Sequence, residues 1–131
     1  MIVAVIGGTG RMGKWFTRYF IANNHDVAIF GRDRKKVKRV AEDMGAKTLN
    51  SLEDCKNSEV IVIAVPIYAT PKYIEQIAPK LKKSTTLIEI TSIKEGVMAV
   101  LKKVKNGSVL SIHPLFGPGA NIKAVNRYAI I

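Results

Sequence analysis

The sequence contains little cysteine and no long apolar run, and both absences exclude classes of function. Cys55 is the single cysteine in 131 residues, so a disulfide or a cysteine-based zinc site within one chain is excluded, and its polar neighbours predict a half-buried, unreactive thiol. No segment reaches the roughly 18 consecutive apolar residues of a membrane-spanning helix, and Met1 leads into a strand rather than a signal peptide. We therefore expect one cytoplasmic domain, residues 1–131, with no metal site and no membrane partner.

Acidic residues are also scarce, since 10 Asp and Glu stand against 21 Lys and Arg and leave a net charge of +11. Such a balance is typical of proteins that bind nucleic-acid phosphates. The positive charges are mostly spread along helix positions that should face solvent, however, and no nucleic-acid-binding module is recognisable. We expect no nucleic-acid partner, and the basic run at residues 32–39 needs another explanation.

Strand-like and helix-like segments alternate along the chain. Apolar runs predict strands at residues 2–6, 26–30, 47–49, 59–65, 86–90 and 109–112. Helical spacing predicts helices at residues 11–23, 33–44, 51–55, 70–82 and 94–103, with a break in the fourth near Pro79. Repeated β–α units imply parallel strands, right-handed crossovers and helices on both faces. The predicted fold class is α/β, a doubly wound parallel sheet.

The glycine-rich segment after the first strand is the most informative motif. Gly8, Gly10 and Gly13 fill the G-x-G-x-x-G template, in which the first glycine allows a tight turn, the second admits a phosphate and the third lets the helix pack closely. The N–H groups and positive dipole end of that helix then face a pyrophosphate. This predicts a Rossmann dinucleotide-binding domain. The expected cofactor-binding residues here and after the fourth strand are Gly8, Thr9, Gly10, Arg11, Met12, Val65 and Pro66.

The end of the second strand indicates which dinucleotide is bound. NAD-binding domains of this fold usually carry Asp or Glu there, which holds the ribose 2′-hydroxyl. In this chain the position after Phe30 is Gly31, followed by Arg32, which can pair with a 2′-phosphate. Asp33 can instead hold a ribose hydroxyl if the strand is one or two residues longer. We therefore predict NADP as the cofactor, with NAD as the alternative.

Three loops after the fourth, fifth and sixth strands should open onto the edge where a nicotinamide ring lies. His113 is the candidate general base, because its reference pKa suits proton transfer near neutrality. Ser92 is positioned to orient a substrate hydroxyl, and Lys94 to attract a substrate carboxylate. A helix cap and a solvated charge are the alternative roles of Ser92 and Lys94. His25 belongs to a polar turn at the opposite edge and is expected to be inert.

Two motifs in these loops resemble a specific family. Thr91-Ser92-Ile93-Lys94 is followed 19 residues later by His113-Pro114-Leu115-Phe116-Gly117-Pro118. Together with the glycine turn, and over essentially the whole chain, this pattern resembles the prephenate dehydrogenases of tyrosine biosynthesis. The departures are Ile93 for Val, Leu115 for Met and Glu89 where the family often has Asp.

The resemblance implies oxidative decarboxylation of prephenate or arogenate, with hydride transfer to NAD(P). It implies that His113 takes the proton of the ring hydroxyl and that Ser92 fixes the same hydroxyl. It also implies a helical C-terminal domain that completes the substrate site and forms a homodimer. Residues 127–131 begin a further strand, so we expect the chain to be truncated, to bind dinucleotide and to show little turnover alone. The alternatives are an NADP reductase of the deazaflavin-dependent type and a non-catalytic NADP-binding module.

Overall fold

A seven-stranded sheet organises the computed structural model, which describes residues 1–123 and 128–130. The order of its strands is β3-β2-β1-β4-β5-β6-β7. All neighbours are parallel except β7, which runs antiparallel to β6. The strands are β1 (Ile2–Ile6), β2 (Asp26–Phe30), β3 (Lys47–Thr48), β4 (Val60–Ile63), β5 (Thr86–Glu89), β6 (Ser108–Pro114) and β7 (Tyr128–Ile130).

Within the described residues, four α-helices and three short 3-10 segments connect these strands. The helices are α1 (Arg11–Ala22), α2 (Arg34–Met44), α3 (Thr70–Ile77) and α4 (Glu95–Leu101). The 3-10 segments are Leu52–Asn57, Ile67–Ala69 and Ala78–Lys80. Pro79 lies in the last of these, so the predicted long helix ends at Ile77 and continues as a 3-10 turn, because proline removes a helix hydrogen bond. The doubly wound architecture is confirmed, and the sheet order reverses between β1 and β4.

Two apolar clusters lie on opposite faces of the sheet, because neighbouring residues of a strand point to opposite sides. Val3 and Val5 pack with Trp15 on the face covered by α1 and α2. Ala4 and Ile6 belong to the cluster on the face covered by α3 and α4. A strand buried on both faces needs apolar residues at every position, which explains the unbroken apolar run of β1.

Several boundaries and one burial state differ from expectation. β6 continues to Pro114, and β7 begins at Tyr128, while residues 127 and 131 of the predicted last strand lie outside the described residues. Cys55 is fully buried rather than half-buried, because the polar residues around it form a 3-10 segment that turns the thiol inward. Burial raises the pKa of the Cys55 thiol. Among the described residues, none of the helices has the length and apolar character needed to cross a bilayer.

Two glycines provide a matched test of how closely α1 packs on the turn before it. A Cβ atom at Gly13 would overlap the carbonyl oxygen of Gly7, whereas a Cβ atom at Gly96 in α4 would meet nothing within 4 Å. Gly13→Ala should lower the free energy of unfolding by about 2 kcal/mol, because main-chain atoms cannot move aside as a side chain would. Gly96→Ala should raise it by about 0.5 kcal/mol, since alanine restricts the unfolded chain. Urea unfolding of both variants measures the difference, and equal effects would contradict close packing at Gly13.

Candidate functional site

The candidate site lies along the edge formed by the carboxyl ends of the parallel strands. The sheet order reverses between β1 and β4, so the connections that follow these two strands leave towards opposite faces of the sheet. A crevice opens where they part, and ligands of doubly wound folds bind at such a point. The loops after β1, β2 and β4 surround this crevice, and those after β5 and β6 continue the same edge.

The turn after β1 is held by main-chain contacts. The N–H groups of Gly7 and Gly8 both donate to the carbonyl oxygen of Phe30, at 2.8 and 3.1 Å. Gly7 has φ +83°, so Gly7 rather than Gly8 takes the left-handed conformation of the tight turn. Gly8 is constrained for a different reason, because a Cβ atom there would lie 2.5 Å from Cβ of Ile29. The sequence template therefore identified the turn correctly, but it assigned the tight turn to Gly8 instead of Gly7.

The first turn of α1 presents uncapped N–H groups. Gly10 is its N-cap residue, no side chain caps it, and its first turn contains no acidic residue. The first N–H groups of a helix have no partner within the helix, and the positive dipole end adds to their attraction for anions. Arg11 is exposed beside them. The side chain of Met12 packs against the core, which leaves its main chain as the part that can contact a ligand.

An open cleft of ≈ 580 Å³ adjoins this turn. Tyr68 and Tyr73 add aromatic surface to its lining. The predicted cofactor residues that line the cleft are Thr9, Gly10, Gly31, Arg32, Val65 and Pro66. Gly8, Arg11, Met12 and Asp33 are not among its lining residues. A dinucleotide fits this donor set, because glycine main chain, an uncapped helix start and an apolar wall meet in one cleft.

A second cleft of ≈ 1080 Å³ extends beside β3 and shares Phe30, Gly31 and Arg32 with the first. A Cβ atom at Gly31 would lie 3.0 Å from Cγ2 of Val37, which leaves little room for a side chain at the position of the usual carboxylate. The Asp33 carboxylate accepts a hydrogen bond from the N–H of Lys36 at 3.1 Å and caps α2. Arg32 is exposed where the two clefts meet.

Ser92 and His113 lie at the ends of neighbouring strands. Ser92 is exposed three residues beyond Glu89, the last residue of β5. His113 is half-buried and belongs to β6 itself, where it pairs with Ala129, rather than to the loop that follows. Neither residue lines the two clefts. His25 precedes β2 at the opposite edge, where its Nδ1 lies 3.2 Å from the amino group of Met1.

The side chain of Lys94 points into the protein. Its side chain is 12% exposed, and its Nζ lies 2.6 Å from Oε1 of Glu89, which is fully buried. The Glu89 carboxylate also accepts hydrogen bonds from Thr91 and from the hydroxyl of Ser111. Burial by itself would raise the pKa of Glu89, but hydrogen bonds from Lys94, Ser111 and Thr91 outweigh burial and lower it, which keeps the carboxylate ionised at neutral pH.

Sequence reasoning noted Glu89 only as a departure from a family pattern and missed its contacts. A signal was present, because Glu89 directly follows the apolar residues Leu87 and Ile88 in a strand predicted to be buried, where an unpaired carboxylate would be very costly. The apolar stripe of α1 predicted Trp15 as a core residue, but not its contacts with the loop after β6. Its Nε1 donates to the carbonyl oxygen of Ala120 at 2.9 Å, and its ring packs against Phe116 at a centroid distance of 4.4 Å. The loop after β6 is therefore fastened to α1.

Comparison with known proteins shows which family the sequence matches. The family model described as "Prephenate dehydrogenase, nucleotide-binding domain" matches residues 16–128. A protein of Methanocaldococcus jannaschii, named a probable arogenate/prephenate dehydrogenase, is 39% identical over 121 residues. The alignment covers 90% of this chain but 27% of that protein.

Solved structures share the fold at lower identity. The arogenate dehydrogenase of Synechocystis superposes with a TM-score of 0.80 at 18% identity, over 92% of this chain and 43% of that one. An imine reductase of Myxococcus stipitatus, solved with NADP+, superposes with a TM-score of 0.75 at 19% identity, over 90% of this chain and 42% of its own. The match of the family model and the identity to the Methanocaldococcus protein carry the assignment: this chain belongs to the prephenate dehydrogenase family, as its nucleotide-binding domain.

Proposed function

We propose that this chain is the cofactor-binding domain of a prephenate or arogenate dehydrogenase that uses NADP. The observation that carries the proposal is the cleft at the switch point between β1 and β4. Gly7, Thr9 and Gly10 line this cleft, Gly10 is the uncapped N-cap residue of α1, and Val65 and Pro66 from the loop after β4 line it as well. The chain spans 27% of the length of its Methanocaldococcus relative, so the activity, substrate and partners of the whole protein are part of this proposal.

The choice of NADP over NAD rests on the end of β2. No carboxylate stands at Gly31, and the neighbouring Asp33 carboxylate is already hydrogen-bonded to the start of α2. The exposed guanidinium of Arg32 lies where the two clefts join. A planar guanidinium pairs bidentately with phosphate oxygens, which a ribose hydroxyl cannot match. These features favour a dinucleotide that carries a 2′-phosphate.

The proposed reaction assigns one role to each residue at the ends of β5 and β6. When bound, the dinucleotide would supply the acceptor for a hydride from the ring carbon that carries the substrate hydroxyl. His113 accepts the proton of that hydroxyl, while the ring carboxylate leaves as CO2 and the ring becomes aromatic. Ser92 hydrogen-bonds the same hydroxyl and orients it. Proton removal in step with hydride departure lowers the barrier, and aromatisation supplies the driving force, so the protein's main task is positioning.

Residues outside this chain complete the proposed enzyme. The resemblance to the family implies a helical domain that binds the side-chain carboxylate of the substrate and forms a homodimer. We therefore propose that the 131 residues bind dinucleotide but turn over little substrate alone. The proposed protein acts in the cytoplasm on a small-molecule substrate.

The cofactor assignment is tested with two arginine variants. Arg32→Ala should weaken NADP binding by about 2 kcal/mol, or about 30-fold in Kd, because a charge-assisted pair with phosphate is lost. NAD binding should change by less than about threefold, since NAD lacks that phosphate. Arg39→Ala, an exposed α2 variant that lines neither cleft, is the matched control. Calorimetric titration of the unchanged protein and both variants measures these affinities. An equal loss of NADP and NAD affinity in Arg32→Ala would refute the choice of NADP.

The catalytic assignment is tested with the two histidines of the chain. His113→Gln should lower kcat for prephenate or arogenate oxidation by about 1000-fold, because glutamine cannot accept the hydroxyl proton. NADP affinity should stay unchanged in the same variant, since His113 lines neither cleft. His25→Gln serves as the control and should retain activity. NADPH formation is followed by absorbance in a form of the protein that supports turnover, and full activity of His113→Gln would show that another group is the base.

A further inference from the structure

A buried polar cluster joins the ends of β5 and β6. The ammonium of Lys94 donates to Oε1 of Glu89 at 2.6 Å and to the carbonyl oxygen of Ile112 at 2.6 Å. Glu89 is 0% exposed, and the register of the sheet places it opposite Ser111, whose hydroxyl donates to the same carboxylate oxygen. The cluster therefore crosses from β5 to β6 through two separate side-chain contacts.

The cluster also holds the residues that directly precede Ser92 and His113. The second carboxylate oxygen of Glu89 accepts hydrogen bonds from the N–H and the hydroxyl of Thr91, at 2.8 and 2.6 Å. Thr91 is the neighbour of Ser92 in the chain, and Ile112 is the neighbour of His113. One carboxylate and one ammonium thus fix the main chain immediately before both residues of the proposed reaction.

The positive charge of Lys94 is not free to attract a substrate carboxylate. Two of the three donors of an ammonium group are used inside the cluster. The Glu89 carboxylate at 2.6 Å neutralises the charge, and the side chain is 12% exposed. An ion pair buried in this way contributes little electric field outside itself, whereas its hydrogen bonds to both strands favour a single geometry.

We propose that Lys94 and Glu89 are positioning residues, which fix Ser92 and His113 relative to each other and do not bind the substrate. This inference rests on the proposed function, because that function gives Ser92 and His113 their roles. A displacement of about 1 Å between catalytic groups costs about 100-fold in rate. The cluster limits this displacement, because it couples the ends of β5 and β6, which precede Ser92 and carry His113.

The first experiment follows His113 directly in this chain by NMR. Two histidines are present, so two imidazole Cε1–Hε1 signals are expected, and His25→Gln assigns them. Lys94→Met should shift and broaden the His113 signal, because the support of Ile112 is lost, while the His25 signal stays in place. Lys102→Met, which removes an exposed lysine just after α4, is the matched control. A His113 signal in Lys94→Met that superimposes on that of the unchanged protein would overturn the proposal.

The second experiment separates positioning from substrate binding by kinetics. In a form of the protein that supports turnover, Lys94→Met should lower kcat by about 100-fold and leave KM within about threefold. Glu89→Gln should show the same pattern, and the double variant should be no worse than either single variant, because both act through one cluster. A KM raised about tenfold or more with unchanged kcat would identify Lys94 as a substrate ligand and overturn the proposal.

Separate controls distinguish a misfolded variant from one in which His113 is displaced. Each single variant leaves one charge buried without its partner and is at risk of misfolding, whereas Glu89→Gln/Lys94→Met removes both charges together. NADP affinity within about twofold of the unchanged protein shows that a variant has kept its fold. A displaced His113 signal in the folded double variant supports the proposal, and an unmoved one refutes it. The NMR experiment needs no substrate, so its result stands even if prephenate and arogenate prove not to be oxidised.

Discussion

Direct contact between main-chain segments in the turn after β1 is the constraint on which the rest of the structure depends. A methyl group at Gly7 would lie 2.5 Å from the carbonyl oxygen of Ala64, and one at Gly13 would overlap the carbonyl oxygen of Gly7. The turn therefore lies directly against the end of β4, and α1 starts directly against the turn. This spacing opens the helix start towards the crevice and aligns the ends of β1 and β4 around it.

The two ends of the site are built by different means. At the turn after β1, donors come from main chain, so their positions are set by the sheet and the start of α1. At the ends of β5 and β6, side chains set the positions. The pairing of these strands ends at Glu89 and Ser111, before Ser92 and His113 are reached, and contacts of Glu89 and Lys94 join the strands there. Main-chain donors suit the cofactor-binding end, because many dehydrogenases share that part of the site. Side-chain contacts suit the end to which the proposed reaction is assigned.

Sequence periodicity predicted all strands of the parallel sheet and the doubly wound order, because buried strands and amphipathic helices leave strong patterns. It placed the end of β6 too early, since pairing with β7 extends the strand, and such pairing depends on residues distant in the chain. It also could not show that Lys94 points inward. The pattern around Lys94 fits a solvated lysine equally well, and only the register of β5 against β6 brings Glu89 and Ser111 together. Motifs thus predicted the candidate site, while tertiary contacts show which of its side chains face inward.

The basic run at residues 32–39 divides into two parts by the geometry of α2. Val37 is buried against the sheet, whereas Lys35, Lys36, Lys38 and Arg39 are exposed, so most of the run is the solvated face of a helix. Arg32 precedes the helix and stands beside Gly31 at the clefts. Asp33 uses its carboxylate to cap α2, and the positive dipole end of that helix partly offsets its charge. An anion bound at Gly31 would then meet the exposed guanidinium of Arg32, whereas the start of α2 is already occupied by the Asp33 carboxylate.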